Sequence, residues 1–277
     1  MRSALIIGGD GTIGSALKAE LHHQGLEVHA TSHSAKESSL TLDLAKPSDT
    51  WPILPKADAA YLCAAVTKLD TCEDAPELTA RVNVLAMQEL ATRLMAQGTQ
   101  VIFLSSNQVF DGTKSYRHAD ESTCPLNEYG RQKAMLEAWL QKNYPAAAIL
   151  RLTKVISARL SIVEKWETAL KQGTAIEAFD DLIFAPLPLA HVLKGLMQLG
   201  QEKRSGIFQL SGTRDVSYYA IACALAERLK ADASAVISTS AKTAGIRPQF
   251  LPMHGTLKQS EEFAYLPAVD PLEALLP

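Results

Sequence analysis

Ser106, Tyr129 and Lys133 lie within "LSSNQVFDG" and "NEYGRQK", and together they form a proton-transfer set. Tyr129 and Lys133 are four apart on an expected helix, so both project from one face. A free phenol titrates near pH ~10 and is a poor acid–base group at neutrality. A neighbouring ammonium favours the phenolate and draws the phenol toward working pH. Ser106 closes an expected strand, where its hydroxyl can bind a carbonyl oxygen as charge develops there. The Tyr–Lys spacing alone is common, and Tyr129 as a packing group with Lys133 as a solvated charge is the bland alternative. Position favours the chemical reading, because the pair follows a strand that ends in Ser105-Ser106.

The N-terminus, "ALIIGGDGTIGSAL", carries the second chemical feature. Gly8, Gly11 and Gly14 form GxxGxxG between an apolar strand and a helix. Glycines there permit a sharp turn and close approach of backbone N–H groups to a diphosphate, at which the following helix points its positive end. A glycine-rich structural turn is the alternative, but the strand–turn–helix context favours the dinucleotide. An NAD site places an acid about 20 residues on, for the ribose 2′-OH. Here strand two ends in Thr31-Ser32-His33-Ser34, followed by Lys36, with no acid. Hydroxyls and a cation suit a 2′-phosphate, so NADP(H) is favoured over NAD(H); loop residues indifferent to the cofactor are the alternative. Asp43, next to Leu44 in "LTLDL", either faces the adenine or caps a helix. A chain carrying both features is expected to transfer hydride.

The elements around these residues alternate. Expected strands are Ser3 to Gly8, Leu26 to Thr31, Asp58 to Val66, Thr99 to Ser106 and Ala146 to Leu152. Helical spacing runs from Thr12 to Gln24, Pro76 to Gln97 and Glu128 to Asn143. Strands that are apolar throughout, separated by helices, predict an α/β fold with a Rossmann-type doubly wound parallel sheet. Asn83, on the Pro76–Gln97 helix, either faces the sheet edge, where it can anchor a water or the helix backbone, or lies on the surface. After Leu152 the rhythm loosens: helices are expected over Leu160 to Gln172, Pro188 to Leu199 and Ser217 to Lys230, with "GIFQLSG" as a strand. This predicts a Rossmann domain over 1–152, to which a strand and helix near 183–212 return, and a smaller, mainly helical substrate lobe over 153–277. The tail from Lys242 has little periodicity and is expected to wrap over the body.

The chain has 277 residues, 47% of them hydrophobic and 21% charged, with a net charge of -3, as in a soluble globular protein. No long basic stripe points to nucleic acid, and no apolar run reaches the roughly 18 residues of a membrane span. Met1-Arg2-Ser3 leads straight into a strand, unlike a secretory signal. Cys63, Cys72, Cys124 and Cys223 show no CxxC spacing, so a reducing, cytoplasmic setting is expected. His22, His23 and the other histidines lack ligand spacing, so no metal is expected. A homodimer is compatible with the helical patterns.

The segments "AAVTKLDTCE", "NVLAMQELA", "SSNQVFDGTKSY" and "DESTCPLNEYGRQKAMLE" resemble those of extended short-chain dehydrogenase/reductases, most of all the dTDP-4-dehydrorhamnose reductases. The resemblance runs along nearly the whole chain. It implies that Gly8, Gly11, Thr12, Ile13, Ala64 and Ala65 line the cofactor; Gly14, Ser32, His33, Asp43, Leu44 and Thr67 are further candidates for the same site. It implies the acid role for Tyr129, ribose binding as well as pKa lowering for Lys133, and the carbonyl-oxygen role for Ser106. Thr67 matches a threonine near the sugar, Phe179 to Pro186 resembles a segment approaching the nucleotide, and Arg247 matches an arginine for the diphosphate. Trp166 and Phe179 either frame the nucleotide or pack the core. Departures fall on substrate recognition: Asn107 replaces the last residue of a usual Ser-Thr-Asp, and Lys154 stands where the family places an aromatic. The expected reaction is reduction of a keto group on a nucleotide-activated deoxysugar. A nucleotide-sugar epimerase and a noncatalytic regulatory subunit are the rivals.

Overall fold

A computed structural model describes residues 1–34 and 40–276; Lys36, one basis for favouring NADP(H), lies outside them. The chain divides into two compact units. The first is Met1–Phe110, Ser122–Arg151 and Ala190–Phe208; the second is Asp111–Glu121, Leu152–Leu189 and Gln209–Pro277. In chain order the elements begin β1 (Ser3–Ile7), α1 (Thr12–His23), β2 (Glu27–Ser32), β3 (Leu40–Thr41), β4 (Ala59–Leu62), α2 (Leu69–Asp74), α3 (Pro76–Ala80), α4 (Met87–Ala96), β5 (Gln100–Ser106), α5 (Glu128–Asn143) and β6 (Ala148–Leu152). They continue β7 (Lys154–Ile156), α6 (Ser161–Lys171), β8 (Ile176–Phe179), β9 (Ile183–Phe184), β10 (Pro186–Pro188), α7 (Leu189–Gln201), β11 (Gly206–Leu210), β12 (Val216–Ser217), α8 (Tyr218–Leu229), β13 (Val236–Thr239) and α9 (Pro271–Leu275).

The first unit is built on a seven-stranded sheet in the order β11-β6-β5-β4-β1-β2-β3, the doubly wound arrangement. Strand β1 pairs in parallel with β2 on one side and β4 on the other, with Ile7 opposite both Thr31 and Leu62. The strand order reverses here, so a crevice opens beyond the carboxyl ends of β1 and β4. The strands are apolar throughout because helices cover both faces: Ala4 to Ile7, Ala59 to Leu62 and Val101 to Phe103 are fully buried or nearly so. Helix α1 seals one face with Leu17 and Leu21.

Three elements differ from the sequence expectation. Strand β3 lies at the sheet edge, paired Thr31↔Leu40 and Ser32↔Thr41, where only "LTLDL" hints at it. Strand β4 stops at Leu62 rather than Val66, because the Cys63 and Ala64 amides both turn onto the Ile7 carbonyl (3.0 and 2.9 Å). The helix expected from Pro76 to Gln97 is interrupted by a π turn over Arg81–Ala86, preceded by a separate α2.

The second unit pairs its short strands two by two: β7 with β10, β8 with β13, and β9 with β12. Helices α6 and α8 pack on these around Val163, Trp166, Ile221 and Leu225. The tail runs along the 111–121 segment: the His254 and Lys258 amides donate to the Gly112 and Arg117 carbonyls. No helix among the described residues is long and apolar enough to cross a membrane.

Candidate active site

The glycine turn is shaped by contact rather than by flexibility alone. Gly8 has φ +90°, and a Cβ there would stand 2.8 Å from Ala64, inside van der Waals contact. A Cβ on Gly14 would strike the Gly8 carbonyl, so α1 starts flush against the end of β1. Helix α1 opens at Gly11 with no side-chain cap and no acid in its first turn, leaving its positive end uncompensated. A cleft of about 710 Å³ lies over this turn. It brings together Gly8, Gly11, Thr12, Ile13, Gly14, Ser32, His33, Asp43, Leu44, Ala64, Ala65 and Thr67, the sequence candidates for the cofactor apart from Lys133. A bare helix N-terminus under a turn that admits no side chain fits a dinucleotide diphosphate.

The cleft also contains residues the sequence reading passed over, among them Asp10, Cys63, Val66 and Val82. Asp10 sits inside the glycine run and was in plain sight; Val82 gave no signal, being one apolar helix residue among many. The Ser32 hydroxyl donates to the Asp10 carboxylate, and its oxygen accepts from the Ser34 amide at 3.2 Å. Asp43 accepts from the Ala45 amide at 3.0 Å and lies 3.6 Å from His33 Nδ1.

Asn83 is buried and holds the loop that follows β4. Its Oδ1 accepts from the Val66 amide (2.8 Å), and its Nδ2 donates to the Val66 carbonyl (2.9 Å) and to Gln132 Oε1 (2.7 Å) on α5. The π turn is centred on this residue, an added residue per turn that aims the amide inward.

The proton-transfer candidates are positioned by β5 and α5. Asn127 caps α5, its side-chain oxygen accepting from the Gly130 amide at 2.9 Å. Its amide donates to Gln108 Oε1 at 2.7 Å, in the 3-10 turn Asn107–Val109 that follows β5. Ser106 caps that turn, accepting from the Gln108 amide at 3.2 Å and donating to Asn107 Oδ1 at 3.3 Å. Lys133 is buried, and its ammonium donates to the Leu104 carbonyl at 2.8 Å, 4.5 Å from the Phe103 ring centroid and 5.6 Å from that of Tyr129. Burial lowers Lys133 to about 8 even though Glu137 opposes the shift. The thiol of Cys63, which lines the cleft, is pushed by burial up to about 12 against the opposing charge of Lys133. Burial raises the Tyr129 phenol above its ordinary value, and the Cys72 thiol adds to the shift.

In the second unit, Lys154 is exposed on β7 opposite Pro186, and the Arg247 guanidinium lies 5.9 Å from the Phe250 ring centroid. Trp166 is a core residue, edge-on to Tyr218 at 6.3 Å. It also lines a cavity of about 520 Å³ with Phe179, Tyr218 and Ile162.

A doubly wound sheet with a glycine-walled crevice at its switch point defines a dinucleotide-binding α/β protein. Within that class the chain belongs to the family described as RmlD substrate binding domain, whose model matches residues 1–265. Methionine adenosyltransferase 2 subunit beta of Xenopus laevis is 28% identical over 269 residues, covering 90% of this chain and 78% of that protein. The probable low-salt glycan biosynthesis reductase Agl14 of Haloferax volcanii is 29% identical over 227 residues, covering 77% and 76%. Among solved structures, dTDP-4-dehydrorhamnose reductase of Bacillus anthracis in complex with NADP superposes with a TM-score of 0.79 at 18% identity, over 99% of this chain and 97% of that one.

Proposed function

We propose that this protein is a reductase that uses a nicotinamide cofactor to reduce a keto group on a nucleotide-activated deoxysugar. The observation that carries the reading is Lys133, buried on α5 with its ammonium anchored on the Leu104 carbonyl of β5 at 2.8 Å and 5.6 Å from the Tyr129 ring centroid. The cation is thereby held one helical turn from the phenol and on the strand that carries Ser106. Membership of the reductase-containing family and likeness to the glycan biosynthesis reductase support it.

Bound in the cleft, a reduced nicotinamide supplies hydride to the carbonyl carbon. The α1 N-terminus and the Gly8–Gly14 turn hold the diphosphate, while Ala64, Ala65 and Thr67 line the same cleft. Tyr129, kept protonated by burial, gives its Oη proton to the carbonyl oxygen. Ser106 donates a hydrogen bond to the same oxygen, and Lys133 stabilises the phenolate left behind. Asn107, beside Ser106, is proposed to contact the sugar.

The test is turnover of purified protein with NADH or NADPH and a nucleoside-diphosphate 4-keto-6-deoxyhexose. Stoichiometric oxidation of the nicotinamide is expected; sugar interconversion without net oxidation would establish an epimerase instead. Tyr129→Phe should lower kcat by on the order of 10²-fold or more while cofactor binding persists. A second reading, a subunit that regulates another enzyme, draws on the kinship with the Xenopus laevis subunit. No turnover by the wild type would favour it, whereas unchanged turnover in Tyr129→Phe would remove Tyr129 as the proton donor.

A further inference from the structure

We infer that Asp10 reads the 2′ position of the adenosine ribose and makes the cleft select NAD(H) over NADP(H). The inference rests on the nicotinamide reading and deepens it. In doubly wound folds the ribose 2′-hydroxyl is read at the end of β2, where an acid accepts its proton and a cation would receive a 2′-phosphate. Strand β2 of this chain ends at Ser32 and is followed by His33 and Ser34, none of them acidic. The carboxylate arrives instead from the neighbouring glycine turn. Asp10 precedes Gly11, lines the cleft, and accepts the hydroxyl hydrogen of Ser32.

Ser32 makes that placement rigid. It is 1% exposed, and its oxygen also takes the Ser34 amide and lies 2.6 Å from the Ser34 carbonyl, so the hydroxyl is held between Asp10 and the Ser34 backbone. The amide of Gly9, adjacent to Asp10, donates to the Thr31 carbonyl at 2.8 Å, and the Gly8 amide donates to Thr31 Oγ1 at 3.2 Å, which ties the turn to the end of β2. Among the described residues of this wall, the His33 ring lies 3.6 Å from the Asp43 carboxylate. A 2′-hydroxyl meets an acceptor here. A 2′-phosphate, carrying nearly two negative charges, meets a carboxylate at close range and leaves the buried serine oxygen to share.

The test is calorimetric titration of the full-length protein with NADH and with NADPH, for the wild type and for Asp10→Asn. The wild type should bind NADH more tightly by on the order of tenfold, the size one partly screened charge contact supplies. Asp10→Asn should narrow that ratio mainly by tightening NADPH. A wild type that binds NADPH as tightly or more so, or a ratio unchanged in Asp10→Asn, overturns the inference and leaves the nicotinamide reading intact. Binding of neither cofactor overturns both. Competition by AMP against adenosine 2′,5′-bisphosphate on the wild type asks the same question without a variant. AMP should compete better, and the reverse order overturns the inference.

Discussion

Gly130 lies directly beneath the backbone carbonyl of Gln108, so close that a Cβ at this position would overlap the carbonyl oxygen and approach the ring of Pro125 to 3.0 Å. This contact joins the two elements that carry the proton-transfer candidates. Gln108 follows Ser106 and is bonded to its hydroxyl, and Gly130 follows Tyr129. The distance between the end of β5 and the start of α5 is therefore set where neither chain has a side chain in the way.

Gly130→Ala should push α5 off the turn at Gln108. An added methyl in such a contact costs about 1–3 kcal/mol, and a displacement of about 1 Å between reacting groups costs on the order of 10²-fold in kcat. Urea unfolding and turnover measured together check both. Full activity with unchanged stability would show that the contact does not position Tyr129.

Asn83→Ala should leave both backbone groups of Val66, and the Gln132 side-chain oxygen, without their present partner. Unpairing buried groups of this kind costs about 1–3 kcal/mol each before relaxation, so a loss of about 3 kcal/mol in chemical denaturation is expected. Because Val66 lines the cleft, cofactor affinity should fall as well.

Arg151 and Glu137 form a bidentate ion pair with side chains 1% and 2% exposed, and the guanidinium also lies over Phe110 at 4.9 Å. Arg151→Met or Glu137→Leu alone strands a buried charge and should cost about 3–5 kcal/mol. The double replacement should cost clearly less than the sum. A double-mutant cycle by denaturant unfolding checks this, and additive losses would show the two residues to be energetically independent.

Lys133 makes stability depend on pH. Its amine lies near 8 in the folded chain against an ordinary 10.5. Between those values the unfolded chain holds a proton that the folded chain has released, so this residue makes stability rise with pH through that window. Relative to Lys133→Met, the wild type should gain about 2 kcal/mol between about pH 8 and about pH 10. Parallel unfolding curves for the two proteins at both pH values would contradict the burial of the amine.

What the residues declared in order along the chain was the part governed by short-range chemistry. Apolar runs of strand length alternating with amphipathic spacing imply a sheet covered on both faces, and the strand order follows that plan. Gly8, Gly11 and Gly14, and the Tyr129–Lys133 spacing, are likewise read from neighbours a few residues apart. Tertiary structure decided what depends on distant partners. Asn83 met Val66 and Gln132 through a π turn that no periodicity announces. The short β3 is a strand only because β2 offers it an edge. Asp10 looked like one member of a glycine run until the end of β2 brought Ser32 to it. Local sequence carries backbone preference and burial pattern, whereas a carboxylate's partner, or the desolvation of a phenol and an amine, belongs to the packed state alone.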